Sequence, residues 1–279
     1  MEKYQLLPEQ LLREGVISGD DLFSPGNLGE EHITAVHHKQ YWSKLKKLKL
    51  SPQEIRRTGF PLSRQLIERE TIIAKGTVEI ARFALQYGVA FNIAGGTHHA
   101  GRDFGEGFCL LNDIAIAARY LIAERLAMKV LVIDLDVHQG NGTADIFQYD
   151  PRVVTFSMHG AKNFPYNKSK SDLDVPLADG TGDLQYLEVL HKQLWGFCYD
   201  SHPDFVFYQA GVDVLASDNL GRLALTSQGC RQRDRMVLEF CRQNSIPVAV
   251  VMGGGYSPKI STIIEAHANT YRLAREMFF

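Results

Sequence analysis

Five short runs of β-branched and aromatic residues limit what this chain can fold into. They read VAFNI (89–93), VLVI (130–133), VVTFS (153–157), FVFYQ (205–209) and PVAVVM (247–252). Stretches with helical spacing lie between and after them, over 111–126, 183–199, 226–244 and 259–277. Alternation of this kind predicts an α/β fold: a single-domain, doubly wound, mostly parallel sheet flanked by helices. Such sheets bind ligands beyond the carboxyl ends of their strands. The residues just after each run are therefore the informative ones. After 89–93 comes AGGTHHAGRDFGEGFC, and after 130–133 come two aspartates and a histidine. Ser157, Met158 and His159 end the third run, AGVD follows the fourth and GGGY the fifth. These five segments are expected to meet at one edge of the sheet.

The second run carries the strongest chemical signal. KVLVIDLDVHQGNGT (129–143) places Asp134, Asp136 and His138 two residues apart. On an extended strand all three share one face, with Leu135 and Val137 on the other. Two carboxylates on a buried strand end repel each other and lose hydration, so a cation or hydrogen-bond donors must compensate them. The plainer alternative is that Asp134 caps the next helix while Asp136 and His138 sit in a polar loop. Asp with His favours a divalent metal. A catalytic zinc takes three protein ligands and leaves one position open. Asp136, His138 and Asp213, the last directly after its own strand, would form that set. The tandem His98–His99, flanked by glycines, could move protons. Tyr256, after three glycines, could donate its hydroxyl to a developing oxyanion, or could be a turn aromatic covering the core. No G-x-x-x-x-G-K-[ST] phosphate loop is present.

With 279 residues, 45% of them hydrophobic, the chain can build one such domain, read here as 1–279. Residues 1–60 read as peripheral helices and loops, with an amphipathic piece over 9–14 and a helix over 33–48. A long helix covers 64–87. Thirty basic and 32 acidic residues give no argument for direct nucleic-acid binding. The four cysteines lack paired spacing and read as reduced thiols, which points to the cytoplasm. No run is long enough to span a membrane, and nothing bears on the oligomeric state.

GGTHHAGRDFGEGFC, DLDVHQGNG, AGVD with the following DNLG, and GGGY together resemble the histone deacetylase superfamily of zinc amidohydrolases, in the family's order and over roughly residues 60–275. Q-G-N-G and the short segment between Phe164 and Pro176 look most like the class IV branch and its bacterial relatives. The resemblance implies zinc on Asp136, His138 and Asp213. It implies His98 and His99 as the catalytic histidines, with Asp134 and Asn141 as their partners, and Tyr256 as the oxyanion donor. Phe108 and Phe164 would wall an acyl-lysine tunnel, with Gly107 and Gly254 lining it and Leu220 near its mouth. Potassium would bind at Asp134, Asp136, His138, Ser157 and Met158, and a second ion at Phe147, Asp150 and Val153. Many members carry Asp where this chain has Asn141, and many begin with a strand that this chain is expected to lack. The implied substrate is an acylated lysine of a protein. Small acylated amines are the alternative, with Asp20, Asp21, Glu30 and Glu31 available to attract a polycation. Arginase-like enzymes share a D-x-H motif but need a second carboxylate two residues after the one matching Asp213, and Leu215 stands there. A non-catalytic acyl-lysine-binding module is the remaining reading.

Overall fold

The computed structural model describes residues 2–279. The apolar runs form strands β1 (Val89–Asn92), β2 (Val130–Asp134), β3 (Val153–Gly160), β5 (Phe205–Gln209) and β6 (Val248–Val251), joined by β4 (Leu173–Leu177). All pair in parallel, in the order β1-β6-β5-β2-β3-β4. Alternate strand residues enter two cores. Val130, Val132, Phe205, Phe207, Ala249 and Val251 face one, while Leu131, Ile133, Val206, Tyr208, Val248 and Val250 face the other. The first core is covered by α5 (Arg64–Tyr87) and α6 (Asp113–Ala123), and the second by α8 (Asp183–Gln193), α9 (Ser227–Gln243) and α10 (Ile260–Phe278). Shorter helices complete the set: α1 (Lys3–Arg13), α2 (Glu30–Thr34), α3 (Lys39–Lys46), α4 (Pro52–Thr58) and α7 (Asn141–Phe147).

The winding creates the site. After β2 the chain steps outward to β3 and β4, then returns to place β5 on the other side of β2 and β6 beyond it. The loops leaving β2 and β5 therefore diverge, and a crevice opens between their carboxyl ends.

Several details differ from the sequence reading. The helix expected over 33–48 is two helices, α2 and α3, because His37 is drawn inward at the break. Its Nδ1 donates to Gly101 O at 2.8 Å and its Nε2 accepts from Asn112 N at 2.9 Å. Burial pushes His37 down to about 4, which keeps the ring neutral for both bonds. Strand β4 carries no strand-like signal because Leu173–Leu177 contains Pro176 and lies at the sheet edge, without a buried apolar run. Only Asp134 of the D-x-D-x-H triplet lies on its strand, since β2 ends there. The helix expected over 183–199 ends at Gln193 and continues as a wider π-type turn over Leu194–Cys198. Among the described residues no strand precedes β1, which is one edge of the sheet. The first sixty residues do more than line the periphery: α1 packs Leu7 and Leu11 against α10, and Lys3 reaches the central cavity.

A buried polar network ties the strand ends to the helices behind them. Arg233 and Asp234, both 0% exposed, sit on α9. Arg233 Nη1 donates to Leu135 O (3.2 Å) and Gly211 O (2.5 Å), the carbonyls beside the loops that leave β2 and β5. Asp234 accepts from Arg233 Nε, Tyr208 Oη and Thr270 Oγ1. Removing one member of a buried ion pair strands the other without water. Asp234→Ala is expected to cost ~3–5 kcal/mol, measured by chemical denaturation. A loss below ~1 kcal/mol would show that the network does not brace the crevice.

Candidate active site

Asp136 and His138 leave β2, Asp213 leaves β5, and they meet across the crevice. His138 Nδ1 stands 3.1 Å from Asp136 Oδ1 and 3.2 Å from Asp213 Oδ2. Two donors on a tetrahedral zinc, each at about 2.0–2.2 Å, stand roughly 3.3–3.6 Å apart, so the spacing suits that ion. The remaining carboxylate oxygens are already engaged: Gly254 N donates to Asp136 Oδ2 (2.8 Å) and Val137 N to Asp213 Oδ1 (3.0 Å). Gly254 must be glycine, because a Cβ there would lie 1.9 Å from Asp213 Oδ2. Burial disfavours a charged His138, yet the two carboxylates outweigh it and push the ring up to about 10. The cluster thus attracts positive charge, which a divalent ion would supply. Leu215, where a dinuclear site needs a carboxylate, is a core residue, and among the described residues the cluster contains only these three groups.

The tandem histidines lie beside the triad with ring centroids 4.1 Å apart. His98 Nδ1 donates to Asp134 Oδ2 at 2.6 Å, and His99 Nδ1 lies 2.7 Å from Asn141 Oδ1. These contacts send the two rings in opposite directions. Burial would lower both, but the Asp134 carboxylate raises His98 to about 9. His99 sits well below the usual histidine range: burial and the neighbouring His98 and His138 oppose its charge, and the Asn141 amide supplies no countercharge. Paired titratable groups pushed apart are the electrostatic signature of an acid and a base.

The cavity that the triad lines measures about 830 Å³ and is also lined by His98, His99, Gly107, Phe108, Phe164, Leu220, Gly254 and Tyr256. The Phe164 ring meets His99 edge-on at 5.0 Å, and the Phe108 ring lies 6.4 Å from Tyr256. Gly107 has φ +55°, and a Cβ there would come within 2.6 Å of the His99 ring, so only glycine passes between Phe108 and the histidine. Tyr256 N donates to Asp218 Oδ2 at 2.6 Å, which anchors the turn.

The residues expected to hold potassium fall in two places. Asp134 pairs with Ser157 in the register of β2 and β3, and Met158 follows Ser157 on β3. Phe147, Asp150 and Val153 form a tight turn, in which Asp150 N donates to Phe147 O and Val153 N to Asp150 O. The Asp150 carboxylate there is occupied by Arg119 and Arg152, so a cation at that turn would rely on backbone carbonyls.

Several contributors were not singled out from sequence. Asp113, 1% exposed at the start of α6, accepts from Gly96 N, Thr97 N and Thr97 Oγ1 and so holds the segment that carries the histidines. Asn112 caps α6 through Ala115 N and donates to Ala100 O. The Asn-Asp pair opening a helical stretch was a legible cap, but its second set of partners was not. Lys3, whose Nζ donates to Gly253 O at 3.0 Å, gave no signal. Arg57 and Glu106 gave none either.

The histone deacetylase domain profile matches residues 1–271. An uncharacterized protein of Picosynechococcus sp. (strain ATCC 27264 / PCC 7002 / PR-6) is 43% identical over all of this chain and 93% of its own. Histone deacetylase 2 of Arabidopsis thaliana is 28% identical over 91% of this chain and 68% of its own. The crystal structure of the HDA15 HD domain superposes with a TM-score of 0.80 at 23% identity, covering 99% of this chain and 81% of that one, and shares the fold.

Each donor is one of three, so losing any of them should empty the centre. Purified Asp213→Asn and His138→Ala variants are expected to lose bound zinc, read by elemental analysis. Full occupancy in both would overturn the assignment.

Proposed function

The chain belongs to the histone deacetylase family, and on that premise we propose that it is a zinc-dependent amidohydrolase that removes acyl groups, acetyl or longer fatty acyl, from lysine side chains of proteins. One observation carries the reading: a three-donor cluster lines a cavity beside two imidazoles of opposed charge preference. Zinc held by Asp136, His138 and Asp213 would supply Lewis-acid polarisation of the amide carbonyl and of the attacking water. His99, kept neutral by its surroundings, takes the proton from that water. His98, kept charged by Asp134, offsets the negative charge that builds up, and the proton that His99 has taken passes to the leaving amine nitrogen as its bond to the carbonyl carbon breaks. Tyr256 donates its hydroxyl hydrogen to the carbonyl oxygen as that oxygen becomes anionic. Potassium near Asp134 and Ser157 would counter the charge of the carboxylates.

The charge of the cavity favours a lysine side chain of a protein over a polyamine. Lys3, Arg56, Arg57, Arg69, Lys162 and Arg222 line it, with Arg57 paired to Glu106, Arg69 to Glu70, and Lys162 and Arg222 to Asp179, and among the described residues the only lining carboxylates are Asp136 and Asp213. Lys3 and Arg56 stand there without a carboxylate partner among the lining residues, and such a lining offers a polycation little attraction. Asp20, Asp21, Glu30 and Glu31 are not among the lining residues. The cytoplasm remains the proposed compartment, supported by four buried, unbonded cysteines. No helix among the described residues is long and apolar enough to cross a membrane. Within the family, Q-G-N-G after His138 supports placement near class IV.

The cavity volume and the short 164–176 segment support chains longer than acetyl. Metal-replete enzyme is expected to cleave octanoyl- and myristoyl-lysine peptides at least as fast as acetyl-lysine, and a strong acetyl preference would exclude this. Tyr256→Phe keeps the ring but loses the donor. It should stay folded and zinc-loaded, with KM little changed and kcat reduced about 10²- to 10³-fold. Near-native kcat at full zinc occupancy would refute the role of the tyrosine.

A further inference from the structure

We infer that Glu106 is a positioning residue for His99, acting through the side-chain amide of Asn141 to decide which imidazole nitrogen is free to accept a proton. The inference rests on the reading of His99 as the proton acceptor. Glu106 comes from the G-E-G-F-C segment and is 6% exposed. Its Oε2 accepts from Arg57 Nε at 2.6 Å, and its Oε1 accepts from Asn141 Nδ2 at 2.5 Å. Asn141 Oδ1, the other end of the same amide, lies 2.7 Å from His99 Nδ1. Glu106, Asn141 and His99 form a chain inside the protein, all nearly excluded from water.

The polarity of that chain depends on which groups can donate. A carboxylate held by a guanidinium has no hydrogen to give, so the NH2 end of Asn141 must face Glu106. Its carbonyl end must then face His99, and a carbonyl only accepts. His99 Nδ1 therefore carries the hydrogen of the neutral ring, and Nε2 keeps its lone pair. An amide is nearly the same shape in both orientations, and only its partners decide between them. Were Glu106 absent, Asn141 could turn over and donate to Nδ1, which would move the hydrogen to Nε2 and remove the acceptor. An aspartate at 141 needs no such control, because both its oxygens accept, but here it would set two carboxylates against each other. Asn141 and Glu106 are thus a matched pair. Arg57 completes the arrangement: its carbonyl accepts from Gly107 N at 3.2 Å, which braces α4 against the segment that carries Glu106.

The test compares Glu106→Ala, Asn141→Asp and the double variant, each zinc-loaded, by steady-state kinetics on an acyl-lysine peptide. Nitrogen-15 NMR of the His99 ring at one fixed pH provides a second readout. Glu106→Ala is expected to lower kcat about 10- to 100-fold, with KM within about twofold and zinc content unchanged, and to shift ring hydrogen from Nδ1 to Nε2. Adding Asn141→Asp to Glu106→Ala should restore most of kcat and the Nδ1 hydrogen, whereas Asn141→Asp alone should be impaired. A purely structural role for Glu106 would give no such rescue. Unchanged kcat and an unchanged ring hydrogen in Glu106→Ala, or a double variant as slow as the single one, would overturn the inference. Should Glu106→Ala fail to fold, Glu106→Gln keeps an acceptor oxygen without its fixed polarity. That variant must show mixed ring hydrogens, and a pure Nδ1 hydrogen would count against the inference. If no acyl-lysine peptide is turned over by wild type, the proposed function fails, and the NMR arm still decides the role of Glu106.

Discussion

The structure depends on two buried carboxylates, Asp136 and Asp213, held face to face across the crevice between β2 and β5. Bringing them together costs both hydration and mutual repulsion, and the surroundings are arranged to offset it. Gly254 N, Val137 N and His138 N each donate to one of them. Glycines at 211 and 254 let strands and turns approach closely enough to do so, since a Cβ at either would collide with a carboxylate oxygen. Behind them Arg233 ties together the carbonyls of Leu135 and Gly211, so the two loops cannot drift apart without breaking a fully buried network. What these donors leave uncompensated is negative charge, which marks the place as a candidate metal centre rather than an ordinary polar loop.

A second consequence of burial separates the two histidines. They are adjacent in sequence, share a wall of the cavity and would titrate alike in water. Asp134 stands against one and the Asn141 amide against the other, so one is held charged and the other neutral. The difference is a single partner group in each case. The Glu106 carboxylate is the group that makes an amide serviceable beside His99.

The parts legible in the sequence were those encoded by local pattern. The strand-like runs over 89–93, 130–133, 205–209 and 247–252 correspond to β1, β2, β5 and β6 within a residue or two, because β-branched and aromatic runs favour strands and the interior strands β2, β5 and β6, buried on both faces, are apolar along nearly their whole length. Helix ends at Asn112 and Thr226 carried their caps in the sequence. Strand β4 and helix α7 did not stand out, since an edge strand with proline and a seven-residue helix are stabilised by what packs on them. The break between α2 and α3 belongs to the same class: His37 leaves the helix to bond Gly101 and Asn112, which are distant in the chain.

For the site the same division holds. Sequence by itself determined the donor set, since Asp136 and His138 follow one buried strand, Asp213 follows another, and parallel winding puts both strand ends on one edge. It determined the tandem histidines and the glycines of the turns for the same reason, each being tied to the end of a strand. Only the tertiary structure decided the partners: Asp113 under the histidine segment, Arg233 behind the crevice, Lys3 from the first helix, and Glu106 with Arg57 behind Asn141. Hydrogen bonds between groups tens of residues apart leave no period or spacing in a sequence. Whether a buried amide or carboxylate is an ordinary loop residue or sets the state of a histidine is settled by the few ångströms between them.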